Sequence, residues 1–180
     1  MIDLPFGTGQ RYLSGAPGVV NNVVGGWRLI PITIFQSGQF FNPTFSGSDP
    51  SSTNSFGGLP DRICDGNLGG QRSIERWFDP SCFTAPPPGR FGNSGVNVLE
   101  RPGLNLMHLA VVKQFTLSER FKLEFVSGMS NLFNHPHFRP PRSNISAADP
   151  GRITSILTGA DLSMEKTRSR EIEFTLRLKW

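Results

Sequence analysis

The chain has 180 residues, of which 37% are hydrophobic and 18% charged; both fractions are low for a globular domain, although the length suffices for a sizeable core. The net charge of +4 would suit nucleic acid, but arginine and lysine are spread along the chain and no nucleic-acid-binding module is evident, so we expect no nucleic-acid partner. No run approaches the ~20 consecutive apolar residues of a transmembrane helix, whereas 20 glycines and 15 prolines predict many turns and loops.

The N-terminal segment predicts the end of a strand followed by a turn region. Apolar residues alternate with others over about 1–6, as in a strand, and residues 7–26 are rich in glycine. This segment has neither the basic nor the apolar part of a signal peptide. Because an exported protein needs such a signal, we expect that Met1 is not the natural start and that the chain is the tail of a longer one.

The next predicted strand is followed by a very long polar loop. Residues of about 27–41 are rich in β-branched and aromatic side chains, which predicts a strand, and Pro31 predicts a bulge or a missing ladder bond within it. The loop at about 42–103 is full of glycine, proline and serine. A structureless loop of this length is unusual in a compact soluble domain, but it is expected on the outer side of a membrane barrel.

Two further strands are predicted in the second half of the chain, with only a tight connection between them. They span about 104–115 and 120–133, and the turn lies at 116–119. A second long polar loop follows at about 135–168.

The C-terminal segment, about 169–180, shows the clearest pattern in the chain, because apolar and polar residues alternate strictly. The apolar positions are Ile172, Phe174, Leu176, Leu178 and Trp180. Such alternation predicts a strand with one apolar and one polar face. It fits a surface strand of a soluble β-sandwich, and it also fits the final strand of an outer-membrane barrel, for which roughly 9–11 tilted residues cross the bilayer.

The connections favour the barrel. If the last strand runs towards the periplasm, the loops at 42–103 and 135–168 both lie outside, and the connections at 7–26 and 116–119 both lie inside. Outer-membrane barrels have long extracellular loops and short periplasmic turns. The sequence therefore predicts an all-β fold, an antiparallel transmembrane β-barrel fragment of about five strands with two long extracellular loops.

In such a wall the polar residues of the last strands face the lumen. The candidates are Lys122, Glu124, Glu171, Glu173, Arg177 and Lys179. Glu171 and Glu173 could in principle act as a pair of glycosidase carboxylates. Because Arg177 and Lys179 share their face, we favour a solvated, salt-linked lumen wall and expect no catalytic residue.

The two cysteines of the chain, Cys64 and Cys82, both lie in the first long loop. In an exported loop we expect them to form a disulfide, which would stabilise by roughly 3 kcal/mol in the chain-entropy model; the alternative is two free or buried thiols. His135 and His137 flank a proline and have no third ligand nearby, so we expect no metal site and no cofactor.

The three tryptophans fall into two groups. Trp27 and Trp180 stand at predicted periplasmic strand ends, where barrels carry aromatic girdles. Trp77 lies in the outer loop, where it either packs under the disulfide or meets a ligand, and we favour packing.

Several short blocks stand out along the chain: GGWRL (25–29), QSGQFF (36–41), WFDPSCF (77–83), FGNSG (91–95), RPGLN (101–105), SNLFNHPHF (130–138) and REIEFTLRLKW (170–180). Together they resemble the barrel of a TonB-dependent receptor of the Oar-like kind, whose members often carry a carboxypeptidase-regulatory-like domain. The resemblance implies a barrel of about 22 strands with a plugged lumen. The present residues would form its last five strands, without the plug or the TonB-contacting segment.

From this resemblance we expect part of an outer-membrane transporter or receptor that takes up an unidentified substrate and is not an enzyme. It implies TonB, the barrel-assembly machinery and outer-membrane lipid as partners. The final strand lacks the glycine often present in the assembly signal of such barrels, and we still expect the assembly machinery to recognise it. The alternatives are a non-transporting surface or adhesion protein and a soluble secreted β-sandwich.

Overall fold

A computed structural model of the chain describes residues 1–157 and 169–180, and the chain divides into two compact units. The first, called the sheet unit, comprises Met1–Phe35, Asn105–Pro136 and Thr158–Trp180. The second, called the loop unit, comprises Gln36–Leu104 and His137–Leu157. The end of the loop predicted at 135–168 therefore lies outside the described residues.

The regular elements are mostly strands. In chain order they are β1 (Ile2–Asp3), α1 (Gly18–Val24), β2 (Trp27–Gln36), β3 (Phe40–Phe41), β4 (Asp61–Arg62), β5 (Phe83–Thr84), β6 (Leu99–Glu100), β7 (Leu104–Thr116), β8 (Lys122–Ser130) and β9 (Glu171–Lys179), with short 3₁₀ turns at Gly69–Gln71 and Pro80–Cys82. Among these described residues, no helix is long and apolar enough to span a bilayer.

The sheet unit is built around one sheet with two open edges. Within the described residues the strand order is β1-β2-β7-β8-β9; β1 pairs antiparallel with β2, and β8 pairs antiparallel with both β7 and β9. The register of β8 with β9 runs from Lys122 opposite Lys179 to Ser130 opposite Glu171. This register keeps the period-two alternation of the two strands in phase, so the apolar residues of both strands lie on one face.

The strand predicted at 27–41 is divided in the structure. β2 ends at Gln36, and Phe40 and Phe41 form β3, which pairs with β6 in another sheet. The chain passes so close to another segment at Gly38 that an added Cβ would lie 1.8 Å from the carbonyl oxygen of Arg101. Only glycine permits this approach, and the strand breaks there.

The turn region predicted at 7–26 contains a helix, α1. It follows Pro17, which has φ −52°, and ends before Gly25. Proline fixes the backbone angle that a helix start requires, whereas the four valines of α1 have high strand propensity and low helix propensity. The local composition therefore conceals a helix that the tertiary contacts stabilise.

The loop unit has its own core, although its sequence reads as two structureless loops. The core contains Phe41, Phe78, Cys82, Phe83 and Leu99, and Phe78 packs edge-to-face against Phe41 and Phe83 with ring centroids 6.0 Å apart in each pair. Two short ribbons, β3 with β6 and β4 with β5, surround it.

Both long loops contribute to this unit. The amide of Thr44 donates to the carbonyl of Ser143 at 2.9 Å, and the amide of Trp77 donates to the carbonyl of Gly151 at 2.8 Å. Residues from 42–103 and from 137–157 are therefore held together as one body by backbone hydrogen bonds.

Candidate functional site: two faces of a sheet and a loop unit

The polar side chains of the last two strands lie on one face of the sheet, which we call the charged face. Lys122 and Glu124 on β8 stand opposite Lys179 and Arg177 on β9. Further along the same pair of strands, Glu173 and Glu171 stand opposite Gly128 and Ser130. The six residues considered as lumen candidates thus share a face, since every second residue of a strand points the same way.

The charged face is linked by ion pairs across its strands. Glu124 Oε2 lies 2.7 Å from Lys179 Nζ, and Glu124 Oε1 lies 3.8 Å from Arg177 Nη1. At the other edge of the sheet, Arg28 Nε donates to Asp3 Oδ1 at 2.6 Å. The arrangement holds fixed charges of both signs on one face of the sheet.

The opposite face, which we call the apolar face, is open in this unit. In the register of β8 with β9, four apolar residues of β9 stand opposite Met129, Ser127, Phe125 and Leu123; they are Ile172, Phe174, Leu176 and Leu178. Their exposed fractions are 49–70%, and Trp180 beyond them is 89% exposed. Phe125 and Phe174 stack across the strands with ring centroids 5.7 Å apart.

Lys113 is an exception on the apolar face that our reading of the sequence missed. It stands opposite Phe125 in the register of β7 with β8, and only 2% of it is exposed. Its Nζ donates to the backbone carbonyls of Val23 and Gly25 and lies 5.2 Å from the centre of the Trp27 ring. The signal was present, since Lys113 takes an apolar place in the alternation of β7.

In the loop unit, Cys64 and Cys82 form the predicted disulfide, with their Cα atoms 4.8 Å apart. Trp77 is half-buried and makes contacts within the unit. Its Nε1 donates to the carbonyl of Glu100 at 2.8 Å, and the guanidinium of Arg72 lies 5.5 Å from its ring centre. Arg72 in turn pairs with the Glu100 carboxylate at 3.1 Å.

The loop unit also contains a cavity of about 260 Å³. Its lining is largely apolar and includes Phe45, Pro50, Leu59, Pro86, Arg90 and Phe91. A volume of this size is small for a whole organic ligand, since such sites usually measure about 300–1,000 Å³. It suits a single apolar group.

One wall of the cavity is held by a charged pair. Arg90 Nη1 lies 2.8 Å from Asp61 Oδ1, Arg90 Nη2 lies 2.5 Å from Asp61 Oδ2, and the amide of Asn93 donates to Asp61 Oδ1 at 3.1 Å. These contacts, above all the hydrogen bonds from Arg90, hold the pKa of Asp61 below its usual value. The bidentate geometry orients Arg90 at the cavity rim.

In the described residues, no third metal-binding side chain joins His135 and His137. Across residues 1–157 and 169–180, no group of three His, Cys, Asp or Glu side chains is placed to hold a metal ion.

Comparison with known proteins identifies the family. No curated protein matches the chain, and no solved structure matches it either. The model of a family described as an outer membrane beta barrel domain, however, matches residues 1–172. The chain therefore belongs to the outer membrane beta barrel domain family, which indicates that it resides in the bacterial outer membrane.

Proposed function

We propose that this chain forms part of the wall of a TonB-dependent transporter or receptor that takes up a substrate across the outer membrane. In this proposal the apolar face contacts lipid, the charged face lines the lumen, and the loop unit meets substrate outside the cell. The observation that carries the proposal is the pairing of β8 with β9, which sorts charged and apolar residues onto opposite faces.

The exposure of the apolar face supports contact with lipid. A soluble β-sandwich would bury such a face against a second sheet, yet Phe174 is 70% and Leu176 65% exposed. Large contiguous apolar surfaces in folded proteins mark a membrane or a partner. In an outer-membrane barrel the lipid supplies this contact along the whole strand.

The charged face supports a water-filled or plugged lumen. The ion pairs of Glu124 with Lys179 and of Asp3 with Arg28 would be costly next to lipid, because buried charge pairs lose more hydration than they recover. In a hydrated lumen they cost little and provide fixed charges that a passing substrate meets.

The loop unit supports a role in substrate capture. The two long loops fold into one body with a disulfide, and that body carries the apolar cavity beside Arg90. A rigid loop body can hold an apolar substrate group at lower entropic cost than mobile loops. The plug and the TonB-contacting segment that transport requires would belong to other parts of a longer protein.

Labelling at adjacent positions tests the wall assignment. Phe174→Cys and Glu173→Cys stand next to each other on β9, on opposite faces, and so form a matched pair. In isolated outer membranes, we expect a charged, water-soluble maleimide to react readily at position 173 and poorly at position 174. Equal reaction at both positions would contradict the assignment of one face of β9 to lipid and the other to the lumen.

A binding experiment tests the transport assignment separately. The complete protein, purified in detergent, should retain the purified periplasmic domain of TonB, whereas an unrelated outer-membrane barrel should not. If the cysteine variants at positions 173 and 174 react as expected but TonB is not retained, the protein is an outer-membrane barrel that does not transport. In that case, an adhesive role for the loop unit replaces substrate uptake.

A further inference from the structure

Two side chains of the apolar face hold the end of helix α1. Trp27 Nε1 donates to the carbonyl of Val23 at 2.8 Å, and Lys113 Nζ donates to the same carbonyl at 3.3 Å as well as to that of Gly25. The Lys113 ammonium lies over the Trp27 ring, so both side chains are on the same side of the sheet. Helix α1 is therefore attached on the side of the apolar face.

The helix itself has an apolar side that faces away from the protein. At 3.6 residues per turn, Val19, Val20 and Val23 fall within one arc, and Asn21 and Asn22 fall on the other. The three valines are 80%, 43% and 65% exposed. Asn21 points inward, where its Oδ1 accepts a hydrogen bond from the amide of Thr8 at 2.6 Å.

The segment around the helix is nearly free of charge. Arg11 is the one charged residue in 7–26, and its guanidinium lies 5.5 Å from the ring centre of the exposed Tyr12. Aromatic and basic side chains of this kind concentrate at the boundary between lipid and water. The segment therefore has the composition of an interfacial element.

We propose that α1 lies in the surface of the periplasmic leaflet of the outer membrane, with Val19, Val20 and Val23 turned into the lipid. The proposal rests on the assignment of the apolar face to lipid, with which the valine surface is continuous. The choice of the periplasmic leaflet follows from the position of the helix along the sheet. The amide of Gln114, near the end of β7, donates to the carbonyl of Gly26 at 2.9 Å. This bond places the helix at the same end of β7 as the short turn at 117–121.

The proposal also accounts for Lys113. An ammonium group on the lipid-facing side of a barrel is destabilising unless its donors are satisfied. Here the carbonyls of Val23 and Gly25 and the rings of Trp27 and Phe115 surround it in place of water. Helix α1 thus shields the charge from lipid while Lys113 anchors the helix to the wall.

Fluorescence quenching in the membrane tests the proposal. Single cysteines are introduced as Val19→Cys, Val23→Cys, Asn22→Cys and Phe174→Cys in the complete protein. Cys64 and Cys82 are bonded to each other and do not compete for the label. Each variant carries an environment-sensitive fluorophore and is reconstituted in phosphatidylethanolamine vesicles with lipids that bear a quencher either near the headgroup or along the acyl chain, so that sites at both depths are reached.

We expect quenching at positions 19 and 23 to exceed that at position 22 at least threefold and to approach that at position 174. Quenching at 174 with no excess at 19 and 23 over 22 would overturn the interfacial helix and leave the wall assignment intact. Absence of quenching at 174 would remove the lipid-facing assignment and the helix proposal with it. Asn22→Cys lies on the same helix and controls for folding. Assembly of the loop unit is confirmed if Cys64 and Cys82 react with thiol reagents only after reduction.

Discussion

Glu124 pairs with Lys179 at 2.7 Å, although the register of β8 with β9 places Arg177, not Lys179, directly opposite Glu124. The residue directly opposite Lys179 is Lys122. Like charges facing each other across strands are destabilising, and the diagonal contact with Glu124 offsets this repulsion. One carboxylate thereby pairs with two cations of β9, Arg177 and Lys179.

This arrangement predicts asymmetric effects on stability. Glu124→Gln should lower the free energy of unfolding by roughly 0.2–1 kcal/mol, because it leaves Arg177 and Lys179 without their carboxylate partner. Lys122→Gln should be neutral or slightly stabilising, since it removes the like-charge pair. Urea unfolding in detergent micelles measures both, and equal destabilisation by the two variants would contradict the account.

The disulfide should carry much of the stability of the loop unit. Cys64 and Cys82 are separated by 18 positions, and the chain-entropy model gives roughly 3 kcal/mol for such a loop. The double variant Cys64→Ser, Cys82→Ser should therefore be cleaved by trypsin at Arg72 or Arg76 much faster than the wild type. Wild-type protein treated with a reductant should match the variant; unchanged cleavage in both would contradict the prediction.

The loop unit should weaken in acid through Asp61. Hydrogen bonds from Arg90 hold the pKa of Asp61 below its usual value, so the folded carboxyl binds its proton less readily than the unfolded one. The resulting stabilisation is complete above the unfolded pKa of about 3.9 and is lost as pH falls through the folded pKa. Thermal unfolding of the loop unit between pH 6 and 3 measures this loss.

The variants Asp61→Asn and Arg90→Gln should both flatten that pH dependence, and their effects should not add, because they remove the same pair. Asp65→Asn, an exposed carboxylate on the same unit, is the matched control and should leave the acid-induced loss in place. A full acid transition in Asp61→Asn would assign the effect to another group.

Lys113 should hold helix α1 rather than the sheet. Lys113→Met keeps the length of the side chain and removes the donors to the carbonyls of Val23 and Gly25. We expect hydrogen exchange at residues 18–25 to accelerate about tenfold while β8 stays protected. Lys122→Met, on the charged face, should not change exchange in α1, and a uniform loss of protection would mean that Lys113 supports the whole sheet.

Two glycines should differ sharply in their tolerance of alanine. A Cβ at Gly38 would lie 1.8 Å from the Arg101 carbonyl, whereas a Cβ at Gly128 meets nothing within 4 Å among the described residues. Gly38→Ala should destabilise the loop unit by about 1–3 kcal/mol, the usual cost of overpacking. Gly128→Ala should be near neutral, and denaturant midpoints compare the two variants.

The sequence carried enough information for the sheet but not for the loops. Strict alternation at 169–180 predicts a strand, and the structure has β9 at Glu171–Lys179, because alternation reflects the direction of each side chain and needs no partner to be recognised. The core around Phe78 could not be anticipated in the same way. Its residues come from distant segments whose strands are only two residues long, so no local period marks them.

The disulfide and the charged face could be predicted from the sequence more fully than the core around Phe78 but less fully than β9. Two cysteines in an exported loop admit one intramolecular pairing, so counting them was sufficient. The alternation on each strand predicts which residues form the charged face. Which cation pairs with Glu124, Arg177 or Lys179, depends on the register between β8 and β9.

By itself, then, the sequence determined which residues share a face and which cysteines can pair. The first follows from backbone periodicity, and the second follows from the presence of only two cysteines. Only the tertiary structure decided that α1 forms, that Lys113 is buried against it, and that the two long loops join around Phe78. Each of these depends on contacts between residues far apart in the chain. Such contacts overcome the weak helix propensity of valine and the cost of burying a lysine.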